Sequence, residues 1–177
     1  MKRLLITGMS GTGKSTLIRA LAAAGHKAID TDDDWPKWVT PAEGNGLPGP
    51  AAEPDWLWRE DLIQELLSNE DADVLFVSGC RTNQGKFYRQ FDHVVLLTAP
   101  SELIVERLLT RTTNDYGKRP EELARVLRQK ETIEPLLRKG ASLEVDTRAP
   151  VERVRDQVLA LVSSHGGTPD RARRPGV

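Results

Sequence analysis

The chain alternates short apolar runs with stretches of helical spacing. Leu4, Leu5 and Ile6 read as a buried strand, and Leu17, Ile18, Leu21, Ala22 and Ala24 then make one face of a helix stopped by Gly25. His26 to Ile29 gives a short second strand ending at Asp30, and Val74 to Val77, His93 to Leu97 and Ser142 to Val145 are three further strand-like runs. Between them, helices are predicted from an Asp55 cap to about Ser68 and around Lys86 to Gln90. Others run from a Ser101 cap with Leu103, Leu108 and Leu109 inward, and from Glu121 to Lys139 with Leu123, Val126, Leu127 and Ile133 inward. Pro135 should end or kink the latter near Glu134. A final amphipathic helix places Val151, Val154, Val158 and Leu161 on one face. Strand-like runs separated by helices predict an α/β domain.

Two stretches break this rhythm. Trp35 to Trp58 holds all four tryptophans of the chain with five prolines and three glycines, so regular structure cannot run through its middle. Residues 31–58 therefore read as an insertion between the second and third strands that covers an acceptor substrate. Trp35, Trp38, Trp56 and Trp58 either line its pocket or form a small core that holds the insertion down. The second stretch, residues 111–120, is turn-rich and flanked by Arg107, Arg111, Lys118 and Arg119. It reads as a lid that closes arginines over phosphates, with a solvated connection between helices as the plainer alternative. Residues 163–177 have almost nothing to bury and are expected to be a disordered tail.

At 177 residues the chain has room for one well-buried domain, expected over residues 1–162. With 25 Lys and Arg against 26 Asp and Glu, a generally basic nucleic-acid-binding surface is disfavoured, and small-molecule partners are expected instead. Cys80 is the single cysteine, so no internal disulfide forms. The first residues read as strand rather than export signal, and no apolar run approaches the ~20 residues of a membrane helix. A cytoplasmic location with no membrane partner is expected. His26, His93 and His165 show no metal-ligand spacing, and nothing in the pattern specifies an oligomeric state.

The chemistry concentrates after the first strand, where Gly8-Met9-Ser10-Gly11-Thr12-Gly13-Lys14-Ser15-Thr16 matches Gly-x-x-x-x-Gly-Lys-Ser, a phosphate-binding loop in its required place between strand and helix. Gly8, Gly11 and Gly13 let successive backbone N–H groups surround a phosphate, and the following helix adds its positive dipole end. Lys14 supplies a mobile cation for the β and γ phosphates, Ser15 is a hard oxygen ligand for the Mg²⁺ of a nucleoside triphosphate, and Thr16 fits the α-phosphate. Asp30-Thr31-Asp32-Asp33-Asp34 follows the second strand and should face the same crevice. Asp30 and Asp32 are candidates to hold Mg²⁺ through water or to accept a hydroxyl proton, whereas Asp33 and Asp34 also fit a helix cap. Arg59 could meet an anionic group on the acceptor or stand on a solvated helix surface. Gly79 lets a ligand approach the backbone, Arg81 points toward the crevice if the turn is tight, and Cys80 reads as a small buried residue. The third strand ends Val77-Ser78-Gly79, so the acid of a Walker B motif is missing there.

In order and spacing these elements resemble the nucleoside monophosphate kinase superfamily, particularly its shikimate kinase and gluconate kinase branch, over about Lys2 to Val162. The resemblance implies a P-loop NTPase three-layer α/β/α fold whose five-stranded parallel sheet runs 2-3-1-4-5, with an acceptor-binding insertion after the second strand and a lid before the last. It implies ATP as donor with Mg²⁺, Lys14 on the β and γ phosphates, Ser15 on the metal, and Asp32 near the metal or the acceptor hydroxyl. Arg111 would stack on adenine, and Arg119, in the Lys-Arg-Pro that resembles the family's lid motif, would neutralise the transferring phosphoryl. Arg148 and Pro150, after Asp146-Thr147, resemble the adenine-side turn.

Two departures bear on the acceptor. Shikimate kinases carry a glycine triplet after the third strand and an arginine just ahead of a proline in the helix after the lid. Here those places read Ser78-Gly79-Cys80-Arg81 and Ile133-Glu134-Pro135. The carboxylate clamp is not reproduced, so the acceptor expected is a different hydroxyl or phosphate compound. A nucleotide-dependent switch whose insertion binds a protein is the alternative. Polynucleotide 5′-hydroxyl phosphorylation would require a basic groove in place of the acids at Asp30 to Asp34.

Overall fold

The computed structural model describes residues 1–32, 35–39 and 55–163. Asp33, Asp34, the middle of the tryptophan-rich stretch and the expected tail after residue 163 lie outside them. Five strands, β1 (Lys2–Thr7), β2 (Lys27–Asp30), β5 (Val74–Ser78), β6 (His93–Thr98) and β7 (Leu143–Asp146), form one sheet in the order β2-β5-β1-β6-β7, every pairing parallel. Counting only these strands, that is the expected 2-3-1-4-5 order. Strands β3 (Pro36–Val39) and β4 (Asp55–Trp58) make a separate antiparallel pair within the insertion.

The sheet is parallel because helices cover both faces, and strands buried on both sides read as unbroken apolar runs. Leu4, Ile6, Phe76, Val95 and Leu97 face α1 (Lys14–Ala23) and α6 (Val151–Ser163), which contribute Leu17, Ile18, Leu21, Val154 and Val158. The alternate positions, Leu5, Leu75, Val77 and Val94, face Ile63, Leu66 and Leu67 of α2 (Glu60–Ser68) together with Trp58 and Phe87. A smaller cluster joins Ile104 and Leu108 of α3 (Ser101–Thr110) to Val126 of α4 (Pro120–Thr132).

Several local expectations are corrected. Ala22 and Ala24 are exposed, because α1 buries the narrower stripe of Leu17, Ile18 and Leu21. Helix α3 buries Ile104 and Leu108, an i,i+4 pair, which turns the adjacent Leu109 outward to 50 % exposure. Ile133 is 38 % exposed at the junction of α4 and α5 (Glu134–Gly140), where Pro135 cannot donate a backbone N–H and the helix breaks. Asp55 opens β4 rather than capping a helix, and α2 starts later, with Arg59 at its N-cap. Ser101 is the first residue of α3, behind a Pro100 cap, and the segment Thr82–Gln90 is a 3₁₀ helix.

Candidate active site

The glycine loop leaves the carboxyl end of β1 and enters α1. Gly8 has φ +146°, and a Cβ there would stand 2.4 Å from the Leu97 carbonyl oxygen, so β6 dictates glycine at that position. Gly13 initiates α1 at φ +95°, in the left-handed region that L side chains rarely adopt. Thr12 is fully buried and donates from Oγ1 to the Met9 carbonyl at 2.8 Å, bracing the loop from within instead of facing the crevice. Gly8 likewise shapes the loop from below. Gly11, Gly13, Lys14, Ser15 and Thr16 line a crevice of about 2140 Å³ at the carboxyl ends of the strands.

Lys14 is 7 % exposed, and its Nζ donates to the carbonyls of Gly8 (2.9 Å) and Met9 (3.3 Å) while standing 3.9 Å from Asp32 Oδ2. Asp30, at the end of β2, accepts from the Ser78 hydroxyl at 2.9 Å and from the Asp32 N–H at 3.3 Å. The serine at the end of β5 thus braces an acid from the neighbouring strand. Asp32 is held from the other side by Arg81, whose Nη2 reaches Asp32 Oδ1 at 3.1 Å and the Asp32 carbonyl at 2.8 Å. Among the described residues, Arg81 Nε is buried without a hydrogen-bond partner.

The tryptophans divide. Trp58 is 1 % exposed; its Nε1 donates to the Thr31 hydroxyl at 2.8 Å, and Asn83 clasps its backbone at 3.1 and 3.0 Å. Trp35 packs half-buried against the same core, whereas Trp56 lines the crevice. The side chain of Trp38 is outside the description. Gly79 is corrected here: a Cβ on it would stand 2.6 Å from both Thr31 Oγ1 and Trp58 Cζ2, so its smallness admits a tryptophan rather than a ligand. Arg59 is corrected too. It is 44 % exposed beside Asp61 at 3.2 Å and does not reach the crevice, because it faces outward at the start of α2. Cys80 is half-buried, packed near Met9, Leu96 and Leu137, and touches the crevice wall.

Of the cations expected around a lid, Arg111 lines the crevice. Its Nε donates to the Asn114 carbonyl at 3.1 Å and its Nη2 to the Tyr116 carbonyl, and burial pulls its pKa below the ordinary value against the opposing pull of Asp32. Arg119 stands exposed at the N-cap of α4, outside the crevice lining. Arg148 is 68 % exposed and paired with Asp146, and Pro150 is exposed; the wall on that side is built from Thr147, Ala149, Val151 and Val154. Three cations outside the sequence-derived site set enter the lining, Arg19, Arg107 and Arg125. Arg107 donates to the Gly11 carbonyl at 3.3 Å and to Thr147, joining the loop to the turn after β7. The signal for it was its i,i+4 spacing from Arg111, which sets both on one face of α3.

Cations outnumber acids in this space. Lys14, Arg19, Arg81, Arg107, Arg111 and Arg125 line it with Asp30 and Asp32, and Lys14 and Arg81 both pair with Asp32. A lining of this balance suits a polyanion. Ser15 contributes a hydroxyl to the lining and Asp32 a half-exposed carboxylate, both hard oxygens appropriate to Mg²⁺.

A parallel sheet in this order, carrying a glycine loop at its central strand and a crevice at its carboxyl edge, defines a three-layer P-loop fold. The chain belongs to the AAA domain family, whose model matches residues 4–132. Among solved structures it resembles shikimate kinase from Acinetobacter baumannii in complex with shikimate, at 19 % identity and TM-score 0.65, covering 95 % of this chain and 96 % of that one. It also resembles shikimate kinase from Bacteroides thetaiotaomicron, at 18 % identity and TM-score 0.61 over 92 % and 98 % of the two chains. A gluconokinase from Sinorhizobium meliloti 1021 aligns at 20 % identity and TM-score 0.53 over 92 % of each. No curated protein matches the chain. Among the described residues no helix is long and apolar enough to cross a membrane.

Proposed function

We propose that this chain is an ATP-dependent cytoplasmic kinase that transfers the γ-phosphoryl group to a hydroxyl or phosphate of a small molecule. The observation that carries this reading is the pairing of Lys14 with Asp32, 3.9 Å apart, inside a crevice that the glycine loop and further cations, Arg107, Arg111 and Arg125, also line. The volume, about 2140 Å³, exceeds the roughly 300–1,000 Å³ of a pocket for one small ligand and accommodates donor and acceptor together. ATP bound with Mg²⁺ would supply the phosphoryl group and the cation that offsets its charge.

In this reading the N–H groups of Gly11 to Thr16 and the Lys14 ammonium would hold the β and γ phosphates, and Ser15 and Asp32 are the residues that would hold Mg²⁺. Lys14 exchanges its carbonyl partners in the loop for phosphate oxygens. Arg111 lies against the nucleotide, and closure of residues 111–120 brings Arg119 toward the transferring group. Asp32 orients the acceptor hydroxyl and accepts its proton as the new ester bond forms. Catalysis then rests mainly on alignment and charge neutralisation.

The test is ADP release from Mg-ATP in the presence of pooled nucleosides, nucleoside monophosphates, sugars, sugar acids and aminoglycosides, with Lys14→Ala as the blank. Acceleration by one pool, lost in the blank while its melting profile stays cooperative, supports the proposal. Binding of Mg-ATP with no acceleration by any pool counts against small-molecule transfer and favours a nucleotide-dependent switch.

A further inference from the structure

Arg81 enters the crevice on a fixed backbone. Its N–H donates to Gln84 Oε1 at 3.3 Å, and the Thr7 hydroxyl donates to the same oxygen at 3.2 Å, so the arginine is tied to the last residue of β1, beside Gly8 of the phosphate loop. Its side chain reaches Asp32, with Nη2 3.1 Å from Oδ1 and 2.8 Å from the carbonyl oxygen. Lys14 Nζ stands 3.9 Å from Oδ2 of the same carboxylate. Asp32 therefore has a cation at each oxygen, and it also interacts with the charge of Arg111. Its own charge stays answered if Arg81 turns to another anion.

The guanidinium is the opposite case. Its side chain is 19 % exposed, and Nε is buried with no hydrogen-bond partner among the described residues. A donor kept dry and unmet destabilises the resting arrangement. Nε and Nη2 make up one edge of the guanidinium, an edge that forks onto a carboxylate or a phosphate. Here Nη2 is used and Nε is not. Turning the side chain toward an entering anion would give both donors a partner. The wider lining agrees, since among the described residues six cations stand with only Asp30 and Asp32, an excess with room for a second anion beside Mg-ATP.

Resting on the kinase reading above, we infer that Arg81 selects the phosphoryl acceptor by pairing with one anionic group on it, a carboxylate or a phosphate. The acceptor's hydroxyl and its anionic group lie close together along the molecule, because Asp32 and Arg81, which would receive them, are in contact. The anchor for the acceptor is thus the segment after β5, whereas Arg59 stands exposed beside Asp61.

Matched pairs of compounds that differ by one anionic group test this: glycerate against glycerol, gluconate against glucitol and shikimate against methyl shikimate for a carboxylate, and nucleoside monophosphates against nucleosides for a phosphate. Each is titrated calorimetrically into the full chain loaded with a non-hydrolysable Mg-ATP analogue, with ADP release measured in parallel using ATP. In at least one pair the anionic member is expected to bind at least about tenfold tighter than its neutral partner, and the pair that responds names the anion. Arg81→Met should bring the two members of that pair within about twofold of each other and leave analogue binding unchanged. Arg81→Lys should keep only part of the preference, since an ammonium lacks the fork, and it serves alone if Arg81→Met loses its cooperative melting. An undiminished preference in these variants, neutral members that bind as tightly as anionic ones in every pair, or failure of every member to bind overturns the inference; acceleration of ADP release in any such case leaves the kinase reading standing. A preference lost with Arg81, but with no member accelerating ADP release, keeps the anion site and overturns the kinase reading.

Discussion

Arg107 donates from Nη1 to the Thr147 hydroxyl at 2.9 Å and from Nη2 to the Thr147 carbonyl at 2.6 Å, tying α3 to the turn that follows β7. A third bond, to the Gly11 carbonyl at 3.3 Å, extends the tie to the phosphate loop. One guanidinium thus fixes the spacing between the loop and the wall where a nucleotide base would lie. Arg107→Met is expected to lower stability by about 1–3 kcal/mol by leaving these acceptors unmatched, and to raise the KM for ATP more than it lowers kcat. Urea titration and initial rates measure the two effects. A stability loss with KM unchanged would reduce the tie to a structural role.

The Gly79 reading gives a second prediction. Trp58 and Thr31 occupy the space a side chain would need, and Asn83 holds Trp58 in place. Gly79→Ala is expected to cost about 1–3 kcal/mol through overpacking, with Trp58→Phe recovering part of the loss in the double variant. If Gly79 served a ligand instead, the substitution would weaken acceptor binding without shifting the urea midpoint.

These cases show what the chain made legible. Leu4 to Ile6, Val74 to Val77 and Val94 to Leu97 could be read as strands because both faces of the sheet are covered, leaving no polar alternation to confuse the pattern. The glycine loop was legible because phosphate binding needs those residue types at that spacing. The Trp58, Thr31 and Gly79 nest was not, since it joins three separate segments and local pattern cannot report contacts between them. Asp55 and Arg59 were misread for a related reason: Trp56 to Trp58 pair with β3, which delays the helix until Glu60. Arg148 matched a motif, but its side chain turns to Asp146, a choice that sequence spacing does not decide.

Acid stability provides a third test. Glu144 accepts from Arg138 Nε at 2.7 Å and Nη2 at 2.9 Å, and those bonds hold its carboxyl below the ordinary 4.5 despite some opposing desolvation. A depressed folded-state pKa adds stability above the unfolded value, and that increment disappears as pH falls through the folded value. With Glu144 38 % exposed, solvent screening keeps the contribution within about 0–1 kcal/mol. Glu144→Gln should therefore lower the urea midpoint near pH 7 slightly and converge with the parent once the pH has fallen below the folded-state value. A constant offset at both pH values would show that the pair contributes by packing rather than by charge.

Arg111 and Arg119 bracket the expected lid but occupy different environments, and this separates their roles. Arg111 already lines the crevice, braced by the carbonyls of Asn114 and Tyr116, so the nucleotide contact proposed for it would require no large movement. Arg119 caps α4 from an exposed position and can meet a transferring phosphoryl only if residues 111–120 close. Arg111→Ala is accordingly expected to weaken Mg-ATP binding by about tenfold, measured by calorimetry without acceptor. Arg119→Ala should leave that affinity nearly unchanged while lowering kcat by ~10³-fold, because a cation that arrives on closure acts on the transition state alone. Restoring the charge as Arg119→Lys should recover only part of kcat, since an ammonium lacks the guanidinium's forked geometry. If Arg119→Ala leaves kcat within about twofold of the parent, closure does not deliver this arginine, and the charge on the transferring group must be met by the cations already lining the crevice, Lys14, Arg107 and Arg125.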